Sequence, residues 1–170
     1  RIALEMPPPI PHTIRFSSLQ AHAVPDRDEG GKGKKDDVSD PFLRLEVFGE
    51  DMQEIADMKQ TRPIQNATDP KWKETLELLV PSHAAFPPLV RVSLWDHEGK
   101  KAKASLISEA ILKLPDLGSG DVTRFKLPAF DSPNLAVSLH YACSKLPEGG
   151  HIMPTAGPCY SLLQVQPRLT

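Results

Sequence analysis

Short segments in which apolar and polar residues alternate, separated by turns that contain proline, are the feature that most restricts the fold of this chain. The clearest segment runs from Phe42 to Phe48, where two leucines and Val47 fall on one face and charged residues on the other. This period of two predicts a half-buried β-strand. The 18 prolines are about twice the usual share of roughly 5%. Most of them stand between such segments, which argues against a helical fold.

Eight segments of this kind predict an all-β protein, an eight-stranded antiparallel β-sandwich. The predicted strands are Thr13–Val24, Phe42–Phe48, Lys59–Gln65, Trp72–Val80, Val90–Leu94, Ile107–Leu114, Val122–Leu127 and Leu135–Tyr141. The sixth is also compatible with a helix on composition alone. The core is expected to contain the apolar positions that lie in phase: Phe16, Leu45, Trp72, Leu78, Val92 and Leu139.

The length of 170 residues suits one domain with tails. Residues 1–12 are interpreted as a proline-rich leader, 13–142 as the β-sandwich and 143–170 as a C-terminal tail in which 160–165 could add a strand. The charge is nearly balanced, with 20 basic and 22 acidic residues, so no general attraction to nucleic acid is expected. Two cysteines form no disulfide framework, which favours a cytoplasmic location, and the chain is predicted to be a monomer.

Oxygen-bearing residues follow the first, third and fifth predicted strands. If successive strands run up and down, the three loops after these strands lie at the same end of the sandwich. They contain Asp37 and Asp40, then Asn66, then Asp96 and Glu98. Residues far apart in sequence thus become neighbours, whereas the loops at the opposite end carry no comparable set of oxygens.

Three sequence segments around these loops resemble sequence motifs of the C2 domain family. Residues 39–47 read S-D-P-F-L-R-L-E-V, similar to the family pattern S-D-P-Y-V-x-V. Residues 59–78 contain K-Q-T-R and then N-A-T-D-P-K-W-K-E-T-L-E-L, similar to K-T-x followed by N-P-x-W-N-E-x-F-x-F. Residues 90–98 read V-R-V-S-L-W-D-H-E, similar to L-x-I-x-V-W-D-x-D. Their order and spacing agree with the family over residues 13–142.

The first strand leads directly into the first loop, as in the circularly permuted (type II) topology of phospholipase-type C2 domains. The chain most resembles the C2 domain of cytosolic calcium-dependent phospholipase A, and this resemblance implies a calcium site. The implied ligands are the side chains of Asp37, Asp40, Asn66, Asp96 and Glu98 and the carbonyls of Val38 and His97. Such a set suits calcium, which takes six to eight oxygen ligands. Asp40 could instead merely shape the turn before its proline.

Six lysines flank the proposed site: Lys32, Lys34, Lys35, Lys100, Lys101 and Lys103. Attraction of each to an anionic phospholipid surface is worth about 1 kcal/mol. The alternative is that they are ordinary solvated loop charges. The large apolar loop tips of the phospholipase A relatives are missing from these three loops, so we expect electrostatic docking rather than deep insertion.

The sequence is therefore interpreted as a calcium-dependent module that is recruited from the cytoplasm to anionic phospholipid membranes. It has no G-x-S-x-G, H-E-x-x-H or phosphate-binding glycine motif, so it is predicted not to be an enzyme. Two alternatives stay open. One is a calcium-independent module that binds a protein partner, and the other is a regulatory domain of a larger lipid-modifying enzyme.

Overall fold

The computed structural model describes residues 12–26, 39–49, 52–81, 88–98, 103–114 and 118–145. Within these ranges the regular secondary structure consists of β-strands alone, so the predicted all-β fold is confirmed. The strands are β1 His12–His22, β2 Pro41–Phe48, β3 Ile55–Gln60, β4 Lys71–Trp72, β5 Leu76–Val80, β6 Leu89–Glu98, β7 Lys103–Lys113, β8 Ser119–Lys126 and β9 Ala136–Lys145. Because β4 and β5 are two parts of one predicted strand, nine strands correspond to the eight that were expected.

The strands form two antiparallel sheets that face each other. Sheet 1 has the order β4–β1–β9–β8, with β5 also pairing with β1, and sheet 2 has the order β3–β2–β6–β7. The first described strand thus pairs with the last, with His22 opposite Ala136. This connectivity brings the loops after β1, β3, β6 and β8 to one end of the sandwich, which we call the loop end.

The core lies between the sheets and contains the residues that the alternating pattern selected. Phe16, Leu45, Leu78 and Val92 are fully buried, and Trp72 and Leu139 are nearly so. Burying a large aliphatic or aromatic side chain contributes roughly 1.5–3 kcal/mol relative to leaving it in water. The inward faces of β2 and β6 consequently supply much of the stability of sheet 2.

The third predicted strand was placed incorrectly, because β3 covers Ile55–Gln60 rather than Lys59–Gln65. It is an edge strand whose side chains are half-buried or exposed, so it lacks a strong apolar alternation. Beyond it, the backbone N–H of Thr61 bonds to the Leu43 carbonyl at 2.9 Å and that of Ile64 to the Pro41 carbonyl at 3.1 Å. The chain then turns instead of continuing the strand.

The sixth predicted segment is a strand and not a helix. Strand β7 covers Lys103–Lys113 and pairs along its whole length with β6. A register shift between Leu94 and Trp95 on β6 places both Ile107 and Ser108 in buried positions. Such a bulge breaks the period of two, which explains why the sequence left helix and strand undecided. The possible extra strand at 160–165 lies outside the described residues.

Candidate functional site

Backbone hydrogen bonds join the first three loops at the loop end. The N–H of His97 at the end of β6 donates to the Asp40 carbonyl at 3.1 Å, and the N–H of Ala67 donates to the Ser39 carbonyl at 3.2 Å. The N–H of Val24 donates to the Thr68 carbonyl at 2.9 Å. These bonds bring the segments that flank Asp40, Asn66 and Asp96 next to one another.

Asp96 is the most deeply buried of the site's acidic residues that the structure describes. It follows Val92 and Leu94 on the inward face of β6, and it is 1% exposed. Its Oδ1 accepts a hydrogen bond from the backbone N–H of Asp40 at 2.8 Å. Burial of a carboxylate is unfavourable unless hydrogen bonds or a cation compensate it. Among the described residues, Asp40 N–H is the donor that does so.

Asp40 continues this connection toward the second loop. Its Oδ1 accepts a hydrogen bond from the backbone N–H of Asn66 at 2.8 Å. Asn66 itself has a φ of 49°, a left-handed conformation that asparagine tolerates better than most residues. Asp96, Asp40 and Asn66 are therefore linked in series, and we call this chain of contacts the loop relay.

The last two ligand candidates end β6. Glu98 lies two positions after Asp96, so the period of two puts both side chains on the same face of the strand. His97 lies between them and is half-buried. Lys103, the first residue of β7, is exposed and stands opposite Glu98 in the ladder.

The remaining predicted site residues lie outside the described residues: Asp37, Val38, Lys32, Lys34, Lys35, Lys100 and Lys101. Within the ranges that the structure describes, no group of three or more histidine, cysteine, aspartate or glutamate side chains is close enough to hold a metal ion. The structure brings Asp40, Asn66 and Asp96 together through the loop relay. Glu98 lies two positions beyond Asp96 on β6 and does not form a three-carboxylate cluster with the two aspartates.

The donor set of the loop relay fits calcium in its chemistry. Asp40 and Asp96 each use one carboxylate oxygen to accept a backbone N–H, and their second oxygens have no donor among the described residues. Together with Glu98 and the Asn66 amide, every donor is an oxygen, which hard cations such as calcium prefer. A histidine or thiolate set, which zinc prefers, is not present in the described part of the site.

Ser39 is a structural element of the site that the sequence alone did not single out. It is fully buried, and its Oγ donates to the Pro25 carbonyl at 3.1 Å. This bond ties the end of the first loop to its beginning, because Pro25 lies just after β1. The only signal in the sequence is its position immediately before Asp40 and Pro41.

An aromatic and cationic stack lies beside the loops on the outer face of sheet 2. Phe42 and Trp95 stack with ring centroids 6.4 Å apart. The Arg44 guanidinium lies 4.5 Å from the Trp95 ring centroid, a cation–π contact. Trp95 is half-buried for this reason, whereas Trp72 belongs to the core.

The fold and the loop relay together define a β-sandwich module whose chemistry is concentrated in loops at one end. Comparison with protein families gives a closer assignment, since the family model described as "C2 domain" matches residues 12–128. The chain therefore belongs to the C2 domain family. A search of curated proteins finds none that matches it significantly.

Solved structures agree with this fold. A C2 domain of plant Extended Synaptotagmin 1 is similar with a TM-score of 0.62 and 15% identity, covering 85% of this chain and 100% of that chain. Human GIVD cytosolic phospholipase A2 gives a TM-score of 0.62 and 10% identity, covering 82% and 17%. The calcium-bound pair of C2 domains of Extended-Synaptotagmin 2 has a TM-score of 0.57 and 22% identity, and the match covers 81% of this chain and 46% of that chain. At these identities the likeness concerns the fold.

Family membership assigns the chain to a class of modules that generally target proteins to membranes, and a C2 domain by itself is non-catalytic. The described residues include no helical segment with the length and hydropathy that a transmembrane span requires. This chain spans only 17% of the human phospholipase, so the activity of that enzyme is not transferred to it.

Proposed function

We propose that this domain binds calcium at its loop end and thereby attaches to anionic phospholipid membranes. The loop relay is the observation that carries the proposal, because two 2.8 Å bonds join Asp96 near the end of β6 to Asp40 in the first loop, and Asp40 to Asn66 in the loop after β3. The proposed ligands are the side chains of Asp37, Asp40, Asn66, Asp96 and Glu98 and the carbonyls of Val38 and His97. The site would work in the cytoplasm.

Electrostatics give the reason for calcium dependence. Without a cation, the acidic side chains of Asp40, Asp96 and Glu98 make the loop end locally negative and repel anionic lipid. Bound calcium supplies positive charge and coordination positions that a lipid phosphate oxygen can fill. Once calcium neutralises the acidic side chains, Lys103 on β7 and the lysines of the flanking loops can attract anionic lipid without opposition from that negative charge.

The experiment that tests the proposal is a calcium titration of the chain by calorimetry, followed by vesicle sedimentation. We expect heat with micromolar to submillimolar affinity. We also expect the chain to sediment with vesicles that contain phosphatidylserine only when calcium is present. Absence of both heat and a thermal shift in millimolar calcium would overturn the proposal.

A calcium-independent protein-binding module is the second candidate. One observation favours it: each carboxylate of the loop relay already has a backbone N–H donor, so the loops hold together through protein contacts alone. A C2 sandwich can serve as a scaffold without metal. The same titration separates the two candidates, because this one predicts no calcium heat.

The lysines beside the third loop provide a further prediction. Replacing Lys100, Lys101 and Lys103 with Ala is expected to weaken vesicle binding about fivefold for each lysine, since a basic residue near an anionic surface contributes about 1 kcal/mol. Calcium affinity in solution should stay nearly unchanged. Binding should also weaken as salt is added, because the screening length is only about 8 Å at physiological ionic strength.

Lys113→Ala is the matched control for these variants, because Lys113 is an exposed residue at the opposite end of the same strand, β7. It should bind vesicles as the unmodified chain does. Equal weakening in the control, or tight binding to neutral phosphatidylcholine that no salt reduces, would contradict electrostatic docking by the loop lysines.

A further inference from the structure

A second cluster of basic residues lies on the outer face of sheet 1, close to the loop end. Lys71 on β4 pairs with Gln20 on β1, which pairs with Ser138 on β9. In the adjacent row, His22 and Lys126 both stand opposite Ala136. Because Trp72 and Phe125 point inward, the neighbouring Lys71 and Lys126 point outward.

Arg124 completes this cluster through an irregularity in β8. The ladder between β8 and β9 shifts register between Val122 and Phe125, and Arg124 has a φ of 50°. Its backbone N–H donates to Ser138 Oγ at 2.9 Å, and Ser138 Oγ also forms a 2.8 Å hydrogen bond with His22 Nε2. A non-glycine residue in this conformation is unfavourable, and such residues cluster where function requires a side chain in a particular place.

We call Lys71, His22, Arg124 and Lys126 the basic shelf. Burial, followed by the charges of Arg124 and Lys71, lowers the pKa of His22, although Asp69 opposes the shift. Asp69 is the nearby carboxylate, and its two oxygens accept hydrogen bonds from Ala23 N–H and Thr68 Oγ. The positive charge of the shelf thus comes from its lysines and its arginine.

The cations of the basic shelf differ in their pairing from three other basic side chains of the sandwich. Arg15 pairs with Glu77, Lys59 with Asp57, and Arg91 with Glu46 and Glu109. None of the ion pairs among the described residues involves Lys71, Arg124 or Lys126, and all three side chains are exposed. Their charge is available to an anionic partner.

An exposed aromatic side chain stands beside the basic shelf. Phe130 lies in the loop between β8 and β9 and is 96% exposed, whereas the other large exposed apolar residues in the described part of the chain are 40–48% exposed. The loop is closed at its base by a bond of 3.0 Å from Leu127 N–H to the Leu135 carbonyl. Ser132 Oγ donates to the carbonyl of Ala23, the residue after β1. Phe130 is thus presented to solvent by a loop that is fixed to the sandwich at both sides.

This loop lies close to the level of the candidate calcium site. Ser108 Oγ donates to the Pro128 carbonyl, and Ser108 stands opposite Leu94 in the ladder. Leu94 is two residues before Asp96, a separation of about 7 Å along the strand. If the domain tilts so that the outer face of sheet 1 turns toward the membrane, a membrane in contact with the loop end can therefore also contact Phe130 and the basic shelf.

We propose that the basic shelf and Phe130 form a second membrane contact, in which Lys71, Arg124 and Lys126 meet anionic headgroups and Phe130 enters the interface. This inference rests on the proposed function and names a part of its lipid-binding surface outside the three calcium loops. A lipid surface fits because the cations lie on an open sheet face, and the loop that follows β8 carries a protruding aromatic residue. Aromatic rings favour the membrane interface. Asp131, which is exposed next to Phe130, stays at the level of the headgroups.

The test uses the full chain with vesicles of phosphatidylcholine and phosphatidylserine in the presence of calcium. Phe130→Ser should weaken binding about tenfold, as expected when one aromatic side chain no longer enters an apolar environment. Ile111→Ser is the matched control, because Ile111 is 42% exposed on the outer face of sheet 2. It should leave vesicle binding unchanged.

The charge of the shelf is tested separately. Combining Lys71→Gln, Arg124→Gln and Lys126→Gln should weaken binding about fivefold for each cation and reduce its salt dependence. Combining Arg15→Gln, Lys59→Gln and Lys113→Gln removes the same charge from positions outside the shelf and is the control. In a third measurement, the tryptophan introduced by Phe130→Trp should be quenched by brominated lipid beyond the quenching of the unmodified chain.

The outcomes separate this inference from the proposed function. If calcium drives vesicle binding but Phe130→Ser and the shelf variant bind as the unmodified chain does, the second contact is wrong and the proposed function stands. If the chain takes up no calcium yet Phe130→Trp is quenched on anionic vesicles, the second contact stands and the calcium proposal fails. If no vesicle is bound under either condition, both are wrong.

Discussion

A chain that carries both Asp40→Asn and Asp96→Asn is expected to take up no calcium, and consequently to stay in solution when calcium and anionic vesicles are added. These two carboxylates are the charged members of the loop relay. Removing both charges takes away most of the attraction for a divalent cation, while the amide oxygens are weaker ligands. Calorimetry should show micromolar to submillimolar affinity for the unmodified chain and no heat for the variant.

The same substitutions should leave the loops in place, which makes the result interpretable. An asparagine side-chain oxygen can still accept the N–H of Asp40 or Asn66, so both 2.8 Å bonds of the loop relay can persist. Replacing the buried charge of Asp96 also removes a desolvation penalty. The thermal midpoint without calcium should therefore be equal to that of the unmodified chain or higher.

Matched charge changes elsewhere provide the control. Asp121→Asn and Glu77→Gln remove two exposed carboxylates of sheet 1, whose partners are His140 and Arg15. This variant has the same net charge as the double variant of the loop relay and should retain full calcium affinity. If both variants lost calcium binding equally, general electrostatics rather than the loop relay would explain the uptake.

The sequence predicted the fold well where burial is one-sided. From Leu43 to Val47, strand β2 alternates between the core and the outer face, and its predicted limits differ from the observed ones by one residue. Strand β3 was misplaced, because an edge strand with exposed side chains has no such alternation. In strand β7 a bulge interrupts the alternation instead, because consecutive residues Ile107 and Ser108 are both buried.

The site could be predicted only in part. Up-and-down strand order was enough to place Asp40, Asn66 and Asp96 at one end, because the alternating direction of successive strands decides at which end each connection lies. The direction of each hydrogen bond in the loop relay depends on backbone geometry, including the positive φ of Asn66, which no residue spacing reveals. The ligand role of these residues remains a prediction.

The basic shelf had no signal in the sequence. Its cations come from β4 and β8, and they share one outer face only because β1 and β9 lie side by side between those strands. Arg124 reaches the shelf through a bulge, and a bulge interrupts the periodicity from which strands are recognised. Phe130 is a single aromatic residue in a loop, and its exposure is a property of the folded chain.

Replacing Trp72 should have the largest effect on stability, and it should also affect calcium binding at the proposed site. The Trp72 side chain is 4% exposed in the core, and its indole Nε1 donates to the Arg62 carbonyl at 3.0 Å. It therefore ties sheet 1 to the loop that carries Asn66. Trp72→Ala is expected to lower the free energy of unfolding by about 3–5 kcal/mol, measured by urea denaturation.

Trp72→Phe separates the two roles of this side chain. It keeps most of the core volume but loses the hydrogen bond to the Arg62 carbonyl, so the free energy of unfolding should fall by only about 1 kcal/mol. The loop around Asn66 should nevertheless loosen, because the carbonyl of Arg62 loses its hydrogen bond to the core residue at position 72. Since ligand binding stabilises a folded chain in proportion to the logarithm of affinity, millimolar calcium should raise the thermal midpoint of Trp72→Phe less than that of the unmodified chain. Phe130→Ala, at an exposed position, is the control and should change neither the free energy of unfolding nor the rise of the thermal midpoint with calcium. If calcium raised the thermal midpoint of Trp72→Phe as much as that of the unmodified chain, the loop that carries Asn66 would not depend on Trp72.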